Sequence, residues 1–330
     1  MFVSNADDGS IGEQACLCGD AKRIFMRKSL FILMITLTCW SPLVSQESKT
    51  FDSLFIKSNI LNKQMMFGIY LPPGYELSDT SYPVLYLLHG GTGNQMDWLK
   101  LGSMKTITDK AIADGKSIPM IIVMPDAEMT FYMNNAEGRY QFEDYFFQEF
   151  IPYIEKTYRC RKKKKYRSIA GLSMGGYGSL LYSIHHPELF NSCGALSAAV
   201  RTDEEINAFS LKDYLQRYRT PMGDLKEGDR RVTEFWNKNS VIYLVKNMAE
   251  TQKKMVNFYL DVGDDDFLYK GNSTLHILMR DRNIPHEFRM RDGAHTWQYW
   301  KSGLPDVLGF ISEGIRKAEA GDESSSSLLN

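Results

Sequence analysis

The sequence predicts an α/β fold in which a mostly parallel sheet carries helices on both faces. From about Thr50 to Arg316, short apolar segments alternate with longer amphipathic ones, which is typical of successive strand–helix–strand units. Several of the apolar segments end in proline or glycine turns, as strands do. No internal repeat or low-complexity linker divides this region. We therefore expect one large domain over residues 46–317, followed by a disordered, serine-rich tail over residues 318–330.

Seven β-favouring segments alternate with five helical ones. The predicted strands lie, in chain order, in "MMFGIYLPPGY", "PVLYLLHGG", "PMIIVMPDA", "YRSIAG", "CGALSAA", "VNFYLDVG" and "HEFRMRDGAH". The predicted helices cover Ser103–Lys116, Gln141–Tyr158, Tyr177–His186, Thr274–Asn283 and Thr296–Ile315. The region from Arg201 to Asn247 is longer and more polar than one crossover requires. We expect a helical excursion there, interrupted at Pro221–Gly223.

The first 45 residues have the layout of a leader. Arg27 and Lys28 precede an apolar run that begins at Leu30, and small residues follow up to Ser45. This is the pattern of a secretory signal, and the run is short for a membrane span. Residues 1–25 carry several acidic side chains, so we expect Met26 to be the true start, a signal peptide over about 26–45, and a secreted or periplasmic protein without stable membrane insertion.

Cleavage of the leader would leave only Cys160 and Cys193 in the mature chain. Two cysteines do not make a disulfide framework, so we expect buried free thiols, with a single bridge between the two as the less favoured alternative. The histidines and cysteines of the mature chain show no ligand-like spacing, so neither a metal site nor a cofactor is expected.

The composition is ordinary for a globular protein, with 43% hydrophobic and 24% charged residues and a formal net charge of −1. This balance argues against nucleic acid or a membrane surface as a partner. The one basic run, Arg159 to Arg167, is isolated in a neutral chain. It is best interpreted as a solvated turn between a helix and a strand.

Ser173 is the first candidate for chemistry. It lies in the segment Gly171-Leu172-Ser173-Met174-Gly175, a G-x-S-x-G pattern between a predicted strand and a predicted helix. In that context the pattern indicates a nucleophile elbow, where a serine with strained backbone angles needs small residues on both sides.

A serine hydroxyl needs a base, and a histidine that follows the serine in the chain is the usual one in this fold class. Of the six histidines, His295 lies just past the last predicted strand, in the glycine-containing loop of "RDGAHTWQYW". The carboxyl end of the sheet is where such a base belongs. The acid should lie after the preceding strand, where three consecutive candidates remain: Asp264, Asp265 and Asp266.

The negative oxygen of a tetrahedral intermediate requires backbone N–H donors, each worth roughly 10²–10³ in rate. The N–H of Met174 would be one donor. The other should come from the loop "HGGTG", which offers Gly90 and Gly91.

With these pieces in place, the sequence resembles the esterase D-type branch of the α/β-hydrolases over roughly residues 50–316. The resemblance rests on "YLPPGY", "PVLYLLHGGTGNQMDW", "FFQEFIPYIEKTYR", "IAGLSMGGYGSL", "GDDDFLY" and "GAHTWQYW". It implies an α/β-hydrolase fold, selects Asp266 from the acidic trio, and implies that Gly91 and Met174 donate to the oxyanion. The similarity is greatest to secreted bacterial feruloyl and acetyl-xylan esterases.

These observations together predict a cofactor-independent serine esterase acting on a small-molecule or carbohydrate ester. Trp98, Phe131, Tyr132 and Trp297 are aromatic residues near the expected mouth and are candidates for stacking on a phenolic acyl group or a sugar. Alternatives are an acyltransferase with the same triad, a thioesterase similar to S-formylglutathione hydrolases, and a non-catalytic carbohydrate-binding protein. The "HGG" loop differs from that of S-formylglutathione hydrolases.

Overall fold

A computed structural model describes residues 47–327 of the chain, and side chains through residue 322. The predicted signal peptide and the residues before it lie outside the described residues. The strands are β1 Lys49–Ser58, β2 Lys63–Leu71, β3 Val84–Leu88, β4 Ile121–Pro125, β5 Arg167–Leu172, β6 Ser192–Leu196, β7 Asn257–Gly263 and β8 His286–Arg291.

The helices alternate with these strands and include one π-helical turn, Phe146–Phe150, between α3 and α4. Their bounds are α1 Asp97–Lys100, α2 Met104–Ala113, α3 Phe142–Tyr145, α4 Ile151–Thr157, α5 Met174–His185, α6 Asp203–Ala208, α7 Leu211–Met222, α8 Glu234–Asn239, α9 Val241–Lys246, α10 Tyr269–Asp281 and α11 Trp297–Ser327. None of the described helices is long and apolar enough to span a membrane.

The eight strands form one sheet in the order β1-β2-β4-β3-β5-β6-β7-β8. The pairs β1–β2 and β2–β4 are antiparallel, and all the others are parallel. The carboxyl ends of β3 and of β5 to β8 therefore meet along one edge. Loops from five consecutive strands of the sheet can share a site there.

Both faces of the sheet are buried, and β3 shows why its segment is apolar throughout. Tyr86 and Leu88 point into one core cluster, which lies under α3–α5, α9 and α10. Leu85 and Leu87 point into the other, which lies under α1, α2 and α11. Alternate residues of a strand face opposite sides, so a strand covered on both sides has few polar positions.

The sequence missed β1 because this strand lies at the sheet edge. It pairs only with β2 and leaves Phe51 and Phe55 exposed, so it lacks the burial that makes an apolar strand pattern recognisable. The predicted excursion from Arg201 to Asn247 is present as α6–α9. Helix α7 ends at Met222, one residue after Pro221, and Gly223 takes φ 83° at its C-terminus.

The expectation of a disordered tail from residue 318 differs from the structure, in which α11 continues to Ser327. Its last turns meet the basic run, because Arg161 pairs with Glu319 at 2.7 Å and Lys165 pairs with Asp322 at 2.5 Å. These tertiary ion pairs stabilise a helical segment whose composition alone favours disorder.

The two mature-chain cysteines are buried and free, as predicted. Burial raises the pKa of both Cys160 and Cys193 to about 12, which keeps them as unreactive thiols.

Candidate active site

The turn between β5 and α5 has the backbone strain predicted for a nucleophile elbow. Ser173 has φ 53° and ψ −116°, outside the regions that L-residues normally occupy. A Cβ at Gly171 would lie 2.5 Å from the backbone of Gly175, and one at Gly175 would lie 2.5 Å from the carbonyl oxygen of Leu88. The turn therefore requires glycine on both sides of the serine.

A continuous chain of hydrogen bonds joins the three residues that the sequence selected. The Ser173 Oγ lies 2.9 Å from Nε2 of His295, and Nδ1 of His295 lies 2.8 Å from Oδ2 of Asp266. These residues come from the loops after β5, β8 and β7, so the sheet edge brings together positions up to 122 residues apart in the chain. Because Nδ1 faces a carboxylate, it carries the proton, and Nε2 is left as an acceptor for the serine hydroxyl.

The environment of Asp266 keeps it ionised. The residue is fully buried, which by itself raises the pKa of the carboxyl group. The hydrogen bond and charge of His295, the N–H of Leu268 at 2.9 Å and the hydroxyl of Ser197 outweigh burial, and the pKa lies below its ordinary value. Asp264 and Asp265, the other candidates, are exposed and do not contact His295.

Ser197 is a residue that the sequence reasoning missed. It follows β6 directly, has φ 44°, and accepts a hydrogen bond of 3.0 Å from Nε1 of Trp300. The Trp300 ring lies edge-on to His295 at 4.9 Å. The position of Ser197 at the carboxyl end of β6 was the signal in the sequence that could have identified it, since polar residues at these strand ends face the same site.

The loop after β3 carries Gly91, the predicted second oxyanion donor. Gly91, Ser173 and Met174 line one cavity. No hydrogen bond between described residues takes up the backbone N–H of Gly91 or of Met174. Both donors are thus available beside the serine, as an oxyanion site requires.

His89 holds this loop from beneath. The side chain is 1% exposed, its Nδ1 lies 2.7 Å from the carbonyl oxygen of Gly90, and its Nε2 accepts the N–H of Ala127 at 2.9 Å. A nitrogen facing a carbonyl must donate and a nitrogen facing an N–H must accept, so these contacts place a proton on Nδ1 and make Nε2 the acceptor. His89 therefore connects the Gly90–Gly91 backbone to the loop after β4.

Two of the aromatic residues predicted at the mouth are buried and do not face substrate. Trp98 is 1% exposed and donates to the carbonyl oxygen of Leu88 at 2.9 Å. Tyr132 is fully buried and donates to the carbonyl oxygen of His89 at 3.0 Å. The N–H or hydroxyl group of each ring donates to a backbone carbonyl at the end of β3, which requires the ring to lie inside the protein. Their predicted contact with substrate is therefore wrong, and they support the oxyanion loop.

The two other aromatic candidates, Phe131 and Trp297, line the cleft, in which two pockets share Ser173. The tryptophan pocket, about 310 Å³, is lined by Gly90–Gly93, Asp97, Leu101, Ser173, His295, Trp297 and Trp300. The arginine pocket, about 200 Å³, is lined by Gly91, Met129, Phe131, Ser173, Arg201, Arg217, Tyr218, Phe267 and Leu268. Their charges differ, because one contains a carboxylate and the other two guanidinium groups.

Comparison with known proteins identifies the class of protein. Residues 58–311 match the family model described as "Putative esterase". A solved structure titled "ferulic acid esterase" is 32% identical, with a TM-score of 0.70, and the match covers 81% of this chain and 99% of that one. The chain belongs to this esterase family, and it is a carboxylic ester hydrolase with the α/β-hydrolase fold.

Two curated relatives are similar over shorter or more distant matches. The "Acetyl esterase" of Caldicellulosiruptor saccharolyticus is 24% identical over 245 residues, which cover 72% of this chain and 86% of the relative. The "Endo-1,4-beta-xylanase/feruloyl esterase" of Xylanibacter ruminicola is 36% identical over 156 residues, 45% of this chain. That match spans only 22% of the Xylanibacter protein, so one part of that larger enzyme is similar to this chain.

Proposed function

We propose that this esterase acts through Ser173 as nucleophile, His295 as general base and acid, and Asp266 as the residue that orients the imidazole. The observation that carries the proposal is the unbroken hydrogen-bond chain from Ser173 Oγ through His295 to a buried, ionised carboxylate. It supports proton transfer from the hydroxyl at the moment of attack, because the acceptor nitrogen is already within hydrogen-bond distance.

The reaction follows from this arrangement. Ser173 Oγ attacks the acyl carbon while His295 Nε2 takes its proton, and the N–H groups of Gly91 and Met174 stabilise the resulting oxyanion. His295 then protonates the leaving alcohol, and the acyl group remains on the serine. Water, deprotonated by the same imidazole, releases the acid and restores the serine.

We infer a substrate class of acetyl or feruloyl esters of plant carbohydrate. One similar protein is named as an acetyl esterase and two as feruloyl or ferulic acid esterases, which supports both the acetyl and the feruloyl group. Trp297 is partly exposed in the tryptophan pocket beside the carboxylate of Asp97, and burial raises the pKa of that carboxyl group. An aromatic face together with a hydrogen-bonding carboxyl group suits the apolar face and hydroxyl groups of a sugar.

We also propose that the protein is secreted or periplasmic, on the basis of the predicted signal peptide over residues 26–45. Expression of the full chain in a bacterial host, followed by cell fractionation and N-terminal sequencing, tests this. We expect the extracytoplasmic product to begin near Gln46. A cytoplasmic product that retains residues 26–45 would contradict the proposal.

The catalytic assignment is tested with p-nitrophenyl acetate and methyl ferulate, each assayed with the wild type and Ser173→Ala. We expect turnover of at least one ester by the wild type and its loss in the variant. Ser183→Ala is the matched control, because this buried serine lies on the same helix and does not line either pocket. Equal turnover by Ser173→Ala and the wild type would overturn the assignment. Acyl transfer only in the presence of an added alcohol would instead identify a transferase.

A further inference from the structure

The two pockets take different halves of the ester, and the position of His295 indicates which. The leaving alcohol must receive its proton from His295 Nε2, so it has to lie on the side of Ser173 that His295 lines. His295 lines the tryptophan pocket and not the arginine pocket. The alcohol therefore occupies the tryptophan pocket, and the acyl group extends into the arginine pocket.

The arginine pocket has more cationic donors than its own residues use. Arg201 is held in place by Glu205 at 2.8 Å, with only 12% of its side chain exposed, and its guanidinium packs 5.5 Å from the ring of Phe267. Arg217 lies on α7 at 5.6 Å from the ring of Phe209, and no carboxylate of the described residues pairs with it. Among the residues that the structure describes, no acidic side chain lines the pocket itself.

The effect of the two arginines is visible on a neighbouring group. Tyr218 lies in the wall of the pocket, and burial raises the pKa of its hydroxyl to about 12. The charges of Arg201 and Arg217 and a hydrogen bond from Arg201 act in the opposite direction, because they favour negative charge on an oxygen placed there. An oxygen atom of a bound acyl group would experience the same field.

Most of the remaining wall is apolar. It is formed by Met129, Phe131, Phe267 and Leu268 together with the ring of Tyr218. The pocket, at about 200 Å³, has more space than an acetyl group fills. Its chemistry is therefore complementary to an acyl group with an apolar or aromatic body and an electron-rich oxygen.

We propose that Arg201 and Arg217 are specificity residues that select acyl groups carrying a second oxygen acceptor, separate from the ester carbonyl. A phenolic oxygen and a carboxylate share this chemistry. The proposal rests on the proposed function, since it takes Ser173 and His295 as the reacting groups. It goes further in assigning the acyl half of the substrate to one pocket and its recognition to two named side chains.

Three methyl esters that differ at one position test the proposal: methyl cinnamate, methyl 4-hydroxycinnamate and methyl 4-carboxycinnamate. For the wild type we expect kcat/KM to be about three- to tenfold higher for each oxygen-bearing ester than for methyl cinnamate. The carboxylate ester should lose part of its advantage in 1 M NaCl, because salt screens the exposed Arg217. The phenolic ester, which is neutral at pH 7, should change less.

Arg217→Gln should reduce these ratios towards one, and Arg217→Glu should disfavour the carboxylate ester below methyl cinnamate. Arg219→Gln is the matched control, since Arg219 lies on the same helix, pairs with Asp224 at 2.7 Å and does not line the cleft. Its ratios should equal those of the wild type. Because each ratio is measured within one variant, a partial loss of folded enzyme does not alter it.

The outcomes separate this inference from the proposed function. Turnover of all three esters by the wild type at equal kcat/KM, with loss in Ser173→Ala, would reject the role of the arginines and leave the catalytic assignment intact. A wild-type preference that Arg217→Gln and Arg217→Glu both retain would also reject it. Undiminished turnover by Ser173→Ala would reject the catalytic assignment itself. A preference for the phenolic ester alone, lost in Arg217→Gln, would support the proposal and identify the phenol as the group recognised.

Discussion

Replacement of His89 by alanine tests whether a buried imidazole positions the oxyanion loop. The variant loses the hydrogen bond to the Gly90 carbonyl, at 2.7 Å, and the one from the Ala127 N–H, at 2.9 Å. The Gly90 carbonyl oxygen still accepts a hydrogen bond from the N–H of Gly93 at 3.2 Å, whereas the N–H of Ala127 is left without a partner in the interior. Two lost hydrogen bonds of about 1 kcal/mol each and one unsatisfied buried donor, which costs about 1–3 kcal/mol, give an expected destabilisation of about 3–5 kcal/mol.

The expected effect on catalysis is separate from this destabilisation. Gly91 follows the residue that His89 holds, so its N–H should move away from the oxyanion. Complete removal of one such donor costs roughly 10²–10³ in kcat. Since Gly93 still restrains the loop, we expect a loss of about 10- to 100-fold in kcat, with a smaller change in KM.

The assay combines thermal unfolding with steady-state hydrolysis of p-nitrophenyl acetate at a temperature where the variant is folded. Ile122→Ala serves as the control, because this fully buried residue of β4 lies in the core. Its truncation should lower the free energy of unfolding by a comparable amount, about 2–5 kcal/mol. If His89→Ala unfolds as early as this control but keeps kcat within about twofold of the wild type, the positioning role is refuted. His89 would then contribute to stability alone.

Three further predictions concern the triad, a partly buried ion pair and the elbow. Asp266→Asn should lower kcat about 10⁴-fold without unfolding, because the amide no longer selects the His295 tautomer that accepts from Ser173; a decrease under tenfold would contradict this. His185 has Nδ1 on Glu143 at 2.9 Å and Nε2 on the Lys238 carbonyl at 3.0 Å. Burial lowers its pKa, but the Glu143 hydrogen bond and charge outweigh this, so the pKa lies above 6.5. Because the pKa of His185 is raised in the folded state, the ion pair contributes its full stabilisation below pH 6.5 and loses it as the pH rises through the folded-state pKa. The Tm deficit of His185→Gln should therefore be larger at pH 5.5 than at pH 8.5. Equal deficits at the two pH values would refute the linkage. Gly175→Ala should lower the free energy of unfolding by about 1–3 kcal/mol, because its Cβ would meet the Leu88 and His89 carbonyl oxygens; an unchanged Tm would show that the elbow can relax.

The sequence determined the parts of this protein that depend on local pattern. Apolar segments of strand length alternating with amphipathic ones were sufficient for the α/β class, and seven of the eight strands were recognised in this way. Ser173 was predicted as the nucleophile because a strained turn demands glycines at fixed offsets, which a sequence displays directly. His295 was predicted as the base from its position after the last strand. The choice of Asp266 among three consecutive aspartates came only from the family resemblance.

Burial of the aromatic residues could not be read from the sequence. Trp98 and Trp297 have the same side chain and lie near the same cleft, with their rings 5.4 Å apart. Trp98 is enclosed, and its N–H donates to the Leu88 carbonyl oxygen, whereas Trp297 lines the tryptophan pocket. Only the positions of α1 and α11, which carry these residues, distinguish them, and those positions depend on contacts far apart in the chain.

Tertiary structure also decided what the charged residues do. The Arg161 and Lys165 side chains, which the sequence assigned to a solvated turn, pair with the last helix and extend its order past residue 318. Arg201 and Arg217 belong to an excursion whose polar pattern gave no sign of a pocket, yet both line the cleft beside Ser173. Periodicity reports which residues are buried within one element. Which elements meet, and hence where a charge stands relative to the reacting atoms, depends on packing between segments that the sequence does not place together.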